Sequence, residues 1–433
     1  MQARHTRAAA LITGLALTMA LTSCRPGQPR PTTTTGPATT PTTATPTTPS
    51  TQGPVTTPTT RPTTTSTTQV PNPPTSGLAT SGRRIIDRNG REVILQGVNW
   101  FGFETSNELP HGLWNRDYKD MLRQMRSLGY NTLRLPFSLQ ATRSTRIVTP
   151  DQSQGRNAGL IGKTPLQAMD EIIAEAGRQG LYVILDNHST TNDSYQHPFW
   201  YGNGYTEADW ISTWTMLARR YVGATNVIAA DLKNEPHGKV SENGANWGEG
   251  GPNDWHAAAT RAGNAVLAAA PHWLILVEGI ERPVPGGTLE QNWWGGNLEG
   301  VKTKPVVLNV PNRVVYSPHE YGPGVFAQPW FNDPSTMAAK LNERWAAGWG
   351  FIVDQNIAPV LIGEFGAKDF TTGSTEGKWM NQLIDYMAAK RMSWTYWSWN
   401  PNSGDTGGIL NDDWTTVNQT KQTALNRLLA VKP

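Results

Sequence analysis

Eight apolar runs of strand length alternate with helical patterns along this chain, and that alternation constrains the fold more than any other feature. Strands are expected over residues 93–98, 132–136, 182–186, 227–232, 274–277, 314–317, 360–362 and 392–398. Helix-period apolar spacing marks residues 118–127, 166–179, 207–221 and 254–269. Such a succession builds a parallel sheet, and eight strands imply closure into an α/β fold of the (β/α)8 TIM-barrel type rather than an open sheet. Ahead of the first strand, an Asn89-Gly90 turn joins two short apolar runs as in a hairpin, which is expected to plug the bottom of the barrel.

All 18 Trp lie at or beyond Trp100, so the globular part is expected as one domain over residues 78–433. Residues 1–24 carry positive charge at Arg4 and Arg7, an apolar stretch from Ala8 to Leu21, and then Thr22-Ser23-Cys24. That pattern predicts a signal peptide, with an apolar region short for a membrane span. Leu21-Thr22-Ser23-Cys24 also resembles a bacterial lipobox, in which Cys24 is lipidated and holds the protein on the outer face of a membrane. The alternative is an ordinary signal peptide that contains a cysteine. Residues 25–77 are dominated by Thr and Pro with almost nothing apolar to bury, which predicts a disordered tether. At ~3.1 Å per residue, a polyproline-like stretch of this size reaches on the order of 100 Å, suiting a wall-crossing stalk or a plain spacer.

The formal charge is +3, with no Lys/Arg-rich run interleaved with aromatics, which argues against a nucleic-acid partner. A single cysteine rules out an intrachain disulfide and a cysteine-based metal site, so packing must hold the fold. A monomer is expected.

In barrels of this kind the chemistry sits at the carboxyl ends of the strands, where side chains point into the bowl formed by the loops. The polar and aromatic residues there are Asn99 and Trp100, Arg134, His188, Asn234 and Glu235, His319 and Tyr321, Glu364, and Trp397 and Trp399. Cleaving a glycosidic bond needs one carboxylic acid to protonate the leaving oxygen and a second carboxylate at the anomeric carbon. Glu235 and Glu364 end the fourth and seventh strands, on opposite sides of a bowl wide enough for a sugar ring. A separation of about 5–5.5 Å gives retention of configuration, and about 6.5–9.5 Å gives inversion. Arg134 lies inside an apolar strand, where a charge is costly without a carboxylate partner.

The motif Asp231-Leu232-Lys233-Asn234-Glu235-Pro236 resembles the fourth-strand motif of glycoside hydrolase family 5, and Gly363-Glu364-Phe365-Gly366 resembles its nucleophile motif. The resemblance runs from about Ile94 to Trp414 through Gly97-Val98-Asn99-Trp100, Asn131-Thr132-Leu133-Arg134, Leu185-Asp186-Asn187-His188, His319-Glu320-Tyr321 and Trp397-Ser398-Trp399-Asn400-Pro401. It is strongest to the bacterial endo-β-1,4-glucanases of that family. It implies a retaining enzyme acting on a β-linked polysaccharide, with Glu235 as acid/base and Glu364 as nucleophile. It further implies that Asn234 bonds the sugar 2-hydroxyl and that Arg134 and Tyr321 donate to Glu364. His188 and His319 would orient substrate and carboxylates, and Trp397 would form the floor.

Trp100, Trp293 and Trp294 are candidate sugar platforms or core residues, and His111 and Trp114 in the first loop also match the glucanase pattern. Asp186, His188 and Asp193 form the one group suited to a metal, but retaining glycosidases need none, so no metal or other cofactor is expected. No carbohydrate-binding module is visible. That leaves a mannanase, a mixed-linkage glucanase, a transglycosylase or a non-hydrolytic wall-tethered glycan-binding protein as alternatives.

Overall fold

The computed structural model describes residues 77–433. The signal peptide with its Cys24, and the tether up to residue 76, lie outside the described residues.

The chain opens with an antiparallel hairpin of β1 (Ala79–Ser81) and β2 (Arg84–Ile86). Its turn is at Gly82-Arg83 rather than at Asn89-Gly90, which corrects the expectation. Gly82 has a φ of +54°, and a Cβ there would stand 2.3 Å from Asn356 Oδ1, so the tight turn needs a glycine. Asn89-Gly90 forms a second turn, in which the Asp87 carboxylate accepts from the Asn89 and Arg91 amides. That turn returns the chain by only a single bridge, Ile86 to Glu92, because residues 87–91 offer nothing apolar to pair. The hairpin closes the barrel floor, with Leu78 and Ile85 packed in the same cluster as the barrel interior.

The eight expected strands are all present, as β3 (Gln96–Asn99), β4 (Thr132–Ser138), β5 (Tyr182–Ser189), β6 (Val227–Asp231), β7 (Leu274–Val277), β8 (Val314–Tyr316), β9 (Leu361–Ile362) and β10 (Ser393–Tyr396). They pair in parallel in the order β8-β7-β6-β5-β4-β3-β10-β9. Bridges from Tyr316 to Val360 and from His319 to Glu364 join the two ends into a nearly closed barrel. β5 runs beyond its expected end, so His188 is a strand residue.

Around the strands lie α1 (Tyr118–Ser127), α2 (Leu139–Arg143), α3 (Pro165–Arg178), α4 (Glu207–Tyr221), α5 (Trp255–Ala269), α6 (Met337–Trp345), α7 (Phe351–Asp354), α8 (Thr375–Lys390) and α9 (Gln419–Leu429). Local chemistry starts the long ones. Asp117, Asp254 and Ser374 cap α1, α5 and α8, while Thr164 with Gln167, and Thr206 with Asp209, form capping boxes on α3 and α4.

The two-residue period of the strands divides the apolar side chains between two cores. Ile184, Ile228, Leu274, Leu276, Val315 and Leu361 fill the barrel, while Leu133, Leu135, Val183, Leu185, Ile275 and Val277 face the helices. Apolar packing fills the lower barrel, which leaves the polar side chains gathered at the upper rim.

Candidate active site

The upper rim opens into a cleft of about 1490 Å³ whose walls include Glu235, Glu364, Tyr321, His188 and Trp397. Asn99 ends β3, Arg134 lies within β4, and Asp186 and His188 lie in β5; Asp231 ends β6, with Asn234 and Glu235 just beyond it. Glu278 follows β7, His319 and Tyr321 follow β8, Glu364 follows β9 and Trp397 follows β10. Parallel strands all end on the same face, so residues far apart in sequence converge there.

Glu235 and Glu364 meet across this cleft, each with a carboxylate oxygen within 4.8 Å of the other. Their surroundings differ. Glu364 Oε1 accepts from Arg134 Nη1 at 2.6 Å and Oε2 accepts from the Tyr321 hydroxyl at 2.6 Å. Burial alone would raise its pKa, but the charges of His319, Arg134 and His188 together with the Tyr321 hydrogen bond outweigh burial and hold it below the usual carboxylate value. Glu235 has one such partner, His319 Nδ1 at 3.0 Å from Oε1, and burial pushes its pKa up despite that contact. Glu235 also sits at a φ of +51°, a left-handed backbone that non-glycine residues rarely adopt. Its amide is held by Glu278 Oε2 at 2.7 Å.

Arg134 ties the rim together. Its side chain is fully buried and meets four carboxylates, Asp231 at 2.9 Å, Asp186 at 3.2 Å, Glu278 at 3.3 Å and Glu364 at 2.6 Å. The same guanidinium donates to Asn99 Oδ1 and Asn234 Oδ1, both at 2.9 Å. A buried cation needs such partners to offset its desolvation, and this one has them on five different strands or strand ends.

The other expected residues divide into those at the cleft and those behind it. His188 Nδ1 donates to Asp186 Oδ2 at 2.7 Å, and its ring lies parallel to the Trp397 indole at 5.4 Å. Burial works against its protonation, but Asp186 outweighs burial and raises its pKa. The Trp397 indole also lies parallel to Phe101 at 5.2 Å, so ring contacts hold its orientation in the cleft wall. Asn234 is fully buried beside Arg134, its Nδ2 donating to Gln196 Oε1 at 3.2 Å. His111 lines the wall between Thr105 and Asn402, each at 3.0 Å, and burial holds its pKa down at about 4. Trp293 lines the cleft edge-on to Tyr321, and Trp294 lies 41% exposed, stacked on His237 at 3.8 Å.

Three of the candidate tryptophans line no part of the cleft. Trp100 is 0% exposed and its indole donates to the His111 carbonyl at 2.9 Å, so it is core and offers no sugar platform. The strand pleat explains this, since Asn99 points inward to Arg134 and its neighbour must point outward. Trp399 is fully buried as well, and Trp114 packs on Trp414 at 5.0 Å away from the cleft walls.

Glu278 was missed, although it follows its strand as Glu364 follows β9, and the same strand-end rule points to it. Glu104 was also missed. It is buried beside Phe101 in the cleft wall, accepts from the Gly102 amide at 2.8 Å, and is pushed up to about 7 by burial. Nothing in its local sequence distinguishes it from a loop carboxylate. Among the described residues, Glu235, His319 and Glu364, and likewise Asp186, His188 and Glu364, bring ligand-type atoms within 4.8 Å of one another. Arg134 and Tyr321 already occupy both Glu364 oxygens, so these groups read as ion pairs rather than an open ligand set. Asp193 instead faces Thr191 and Tyr195 on the surface, outside both groups.

Residues 86–403 match the family model of cellulase (glycosyl hydrolase family 5). The chain is 51% identical over 352 residues to an endoglucanase of Paenibacillus polymyxa, covering 81% of this chain and 86% of that protein. It is 45% identical over 350 residues to the major extracellular endoglucanase of Xanthomonas campestris, covering 80% and 70% respectively. An endocellulase from Pyrococcus horikoshii, crystallised in complex with cellotetraose, superposes with a TM-score of 0.76 at 42% identity over 83% of this chain and 100% of that one. With a family model spanning most of the barrel and relatives of this similarity, the chain belongs to glycosyl hydrolase family 5.

Proposed function

We propose that the chain is a retaining endo-β-1,4-glucanase that hydrolyses internal bonds of a β-linked glucan by double displacement. The observation that carries this reading is the pair of carboxylates within 4.8 Å of each other, one raised and one lowered in pKa. So narrow a gap suits direct attack by one carboxylate rather than the wider spacing with which an inverting enzyme admits water beside its base.

Glu364, kept ionised by Arg134 and Tyr321, attacks the anomeric carbon while Glu235 protonates the departing glycosidic oxygen. Glu235, now ionised, then takes a proton from water, which displaces Glu364 and restores the starting configuration. His319 lies 3.0 Å from Glu235 and 3.6 Å from Glu364, so its imidazole follows the charge as it passes between them. Trp397 supports the ring at the cleavage point, with His188 and Asn234 orienting its hydroxyls. Trp293, Trp294 and His111 line the path of the chain on either side. The glucan substrate is inferred from the endoglucanases and endocellulase that the chain resembles.

The protein is further proposed to be secreted as a monomer and held at the cell surface by a lipid on Cys24, with residues 25–77 spacing the domain of residues 78–433 from the membrane.

The test is a panel of carboxymethyl cellulose, mannan, xylan and xyloglucan, with NMR of the first anomer released. Release of β-anomer from the cellulose derivative, abolished by Glu364→Gln, is expected. First release of α-anomer would refute retention, and faster cleavage of mannan would move the substrate to a mannanase. Transfer to an added acceptor faster than hydrolysis would make it a transglycosylase, and binding without new reducing ends a glycan-binding protein.

A further inference from the structure

Glu278 stands apart from the other rim carboxylates, because it forms no part of the cleft wall yet meets the Glu235 amide, His319 and Arg134, the last two of which face Glu364. Its side chain is fully buried. Oε2 accepts from the Glu235 amide at 2.7 Å, while Oε1 lies 3.2 Å from His319 Nε2 and 3.3 Å from Arg134 Nη2. Gly295 packs directly on it, since a Cβ at that position would stand 2.3 Å from Glu278 Oε2 and 3.3 Å from the Glu235 Cα. A buried carboxylate costs desolvation free energy unless its partners offset it. Here the partners are the backbone of the acid/base, the imidazole that bonds the acid/base, and the guanidinium that bonds the nucleophile.

From this arrangement we infer that Glu278 is a positioning residue, which pins the left-handed Glu235 backbone and holds His319 as an imidazolium aimed at Glu235. The inference rests on Glu235 serving as acid/base. The argument is one of charge and direction. The His319 ring is surrounded by Glu235 and Glu364 on its Nδ1 side and Glu278 on its Nε2 side. No aligned hydrogen-bond acceptor reaches Nε2, so the Glu278 charge is what fixes that edge. The opposite edge of the ring, Nδ1, faces the catalytic carboxylates, 3.0 Å from Glu235 Oε1 and 3.6 Å from Glu364 Oε2. Burial opposes protonation of His319, but Glu278 and Glu364 outweigh it and raise the pKa well above the ordinary histidine value. Charged groups facing Glu278 itself are Arg134 on β4, His319 beyond β8 and Lys233 beyond β6, with Asp231 and Asp186 sharing the same guanidinium.

Glu278→Gln keeps the shape and an acceptor for the Glu235 amide but removes the charge facing His319. The comparison is kcat/KM on cellotetraose, whose sugar leaving group needs protonation, against kcat/KM on dinitrophenyl cellobioside, whose phenolate leaves without it. A loss of about tenfold or more on cellotetraose is expected, with less than about threefold on the dinitrophenyl substrate, because general acid help matters only for the first. Equal losses on both substrates, or no loss on either, would overturn the inference. An unaltered enzyme that cleaved neither substrate would instead overturn the functional reading on which it rests. Should the variant not fold, the imidazole ¹⁵N shifts of His319 in the unaltered enzyme decide. Two protonated ring nitrogens near neutral pH are expected, and a single protonated nitrogen would refute the role.

Discussion

Replacing Tyr321 by Phe removes one hydroxyl from the nucleophile and little else. That hydroxyl donates to Glu364 Oε2 at 2.6 Å, and burial with the nearby Glu364 and Glu235 charges holds its own pKa well above the ordinary tyrosine value, so it stays a donor throughout the working range. A hydrogen bond to a buried charge contributes about 1.5–3 kcal/mol. One pKa unit corresponds to about 1.4 kcal/mol, so losing this bond should raise the Glu364 pKa by about one to two units. His319 remains 3.6 Å from the same oxygen and Arg134 2.6 Å from the other, which places the expectation at the lower end, about one unit. The sign follows from which form is bonded. The hydroxyl favours the ionised carboxylate, so its loss favours the protonated, inactive form. The acid limb of kcat/KM against pH, which reports the nucleophile in the free enzyme, should therefore move up by about one unit. The basic limb, which reports Glu235, should stay in place. Rates on a soluble cellulose derivative from acid to neutral pH give both limbs in one experiment. An acid limb that stays fixed or moves down would refute the reasoning.

Arg134→Met leaves Asp186, Asp231, Glu278 and Glu364 without their shared cation, and a loss of stability of at least about 3–5 kcal/mol is expected from denaturant unfolding. A change below about 1 kcal/mol would mean that the network is not held by its charge. Trp100→Ala should cost about 3–5 kcal/mol, as a large-to-small core change, while leaving KM within twofold. Trp294→Ala should do the opposite, raising KM with little effect on unfolding, and the reverse pattern would exchange the two assignments. Exhaustive chelation should leave the hydrolysis rate unchanged, since both Glu364 oxygens already have protein donors; activity lost to chelation and restored by a divalent cation would contradict that.

The strands and the longer helices were legible because their signals are local. Short continuous apolar runs mark β4 to β7, and a helical period marks α1 and α3 to α5, two of which the structure shows starting at Thr164 and Thr206 capping boxes. Glu235, Glu364, Arg134, His188 and His319 were legible for a related reason, since each lies at or near a strand end and a parallel barrel brings such ends together. For Trp100, open between platform and core, the neighbour holds the deciding signal: an inward Asn99 requires an outward residue next to it. The hairpin turn was misplaced because Asn89-Gly90 does form a turn, and only the apolar residues beyond Gly82 decide which pair of runs forms the ladder.

By itself, the order of residues determined the succession of strands and helices, the rim on which chemistry would gather, and the two acids most suited to it. Only the tertiary structure decided the distance between those acids, which oxygen meets Arg134 and which meets Tyr321, and the place of Glu278 behind them. The physical reason is that hydrogen bonds at Arg134 join residues as far as 230 positions apart, and pKa shifts arise from burial and neighbouring charge that exist only once the barrel closes.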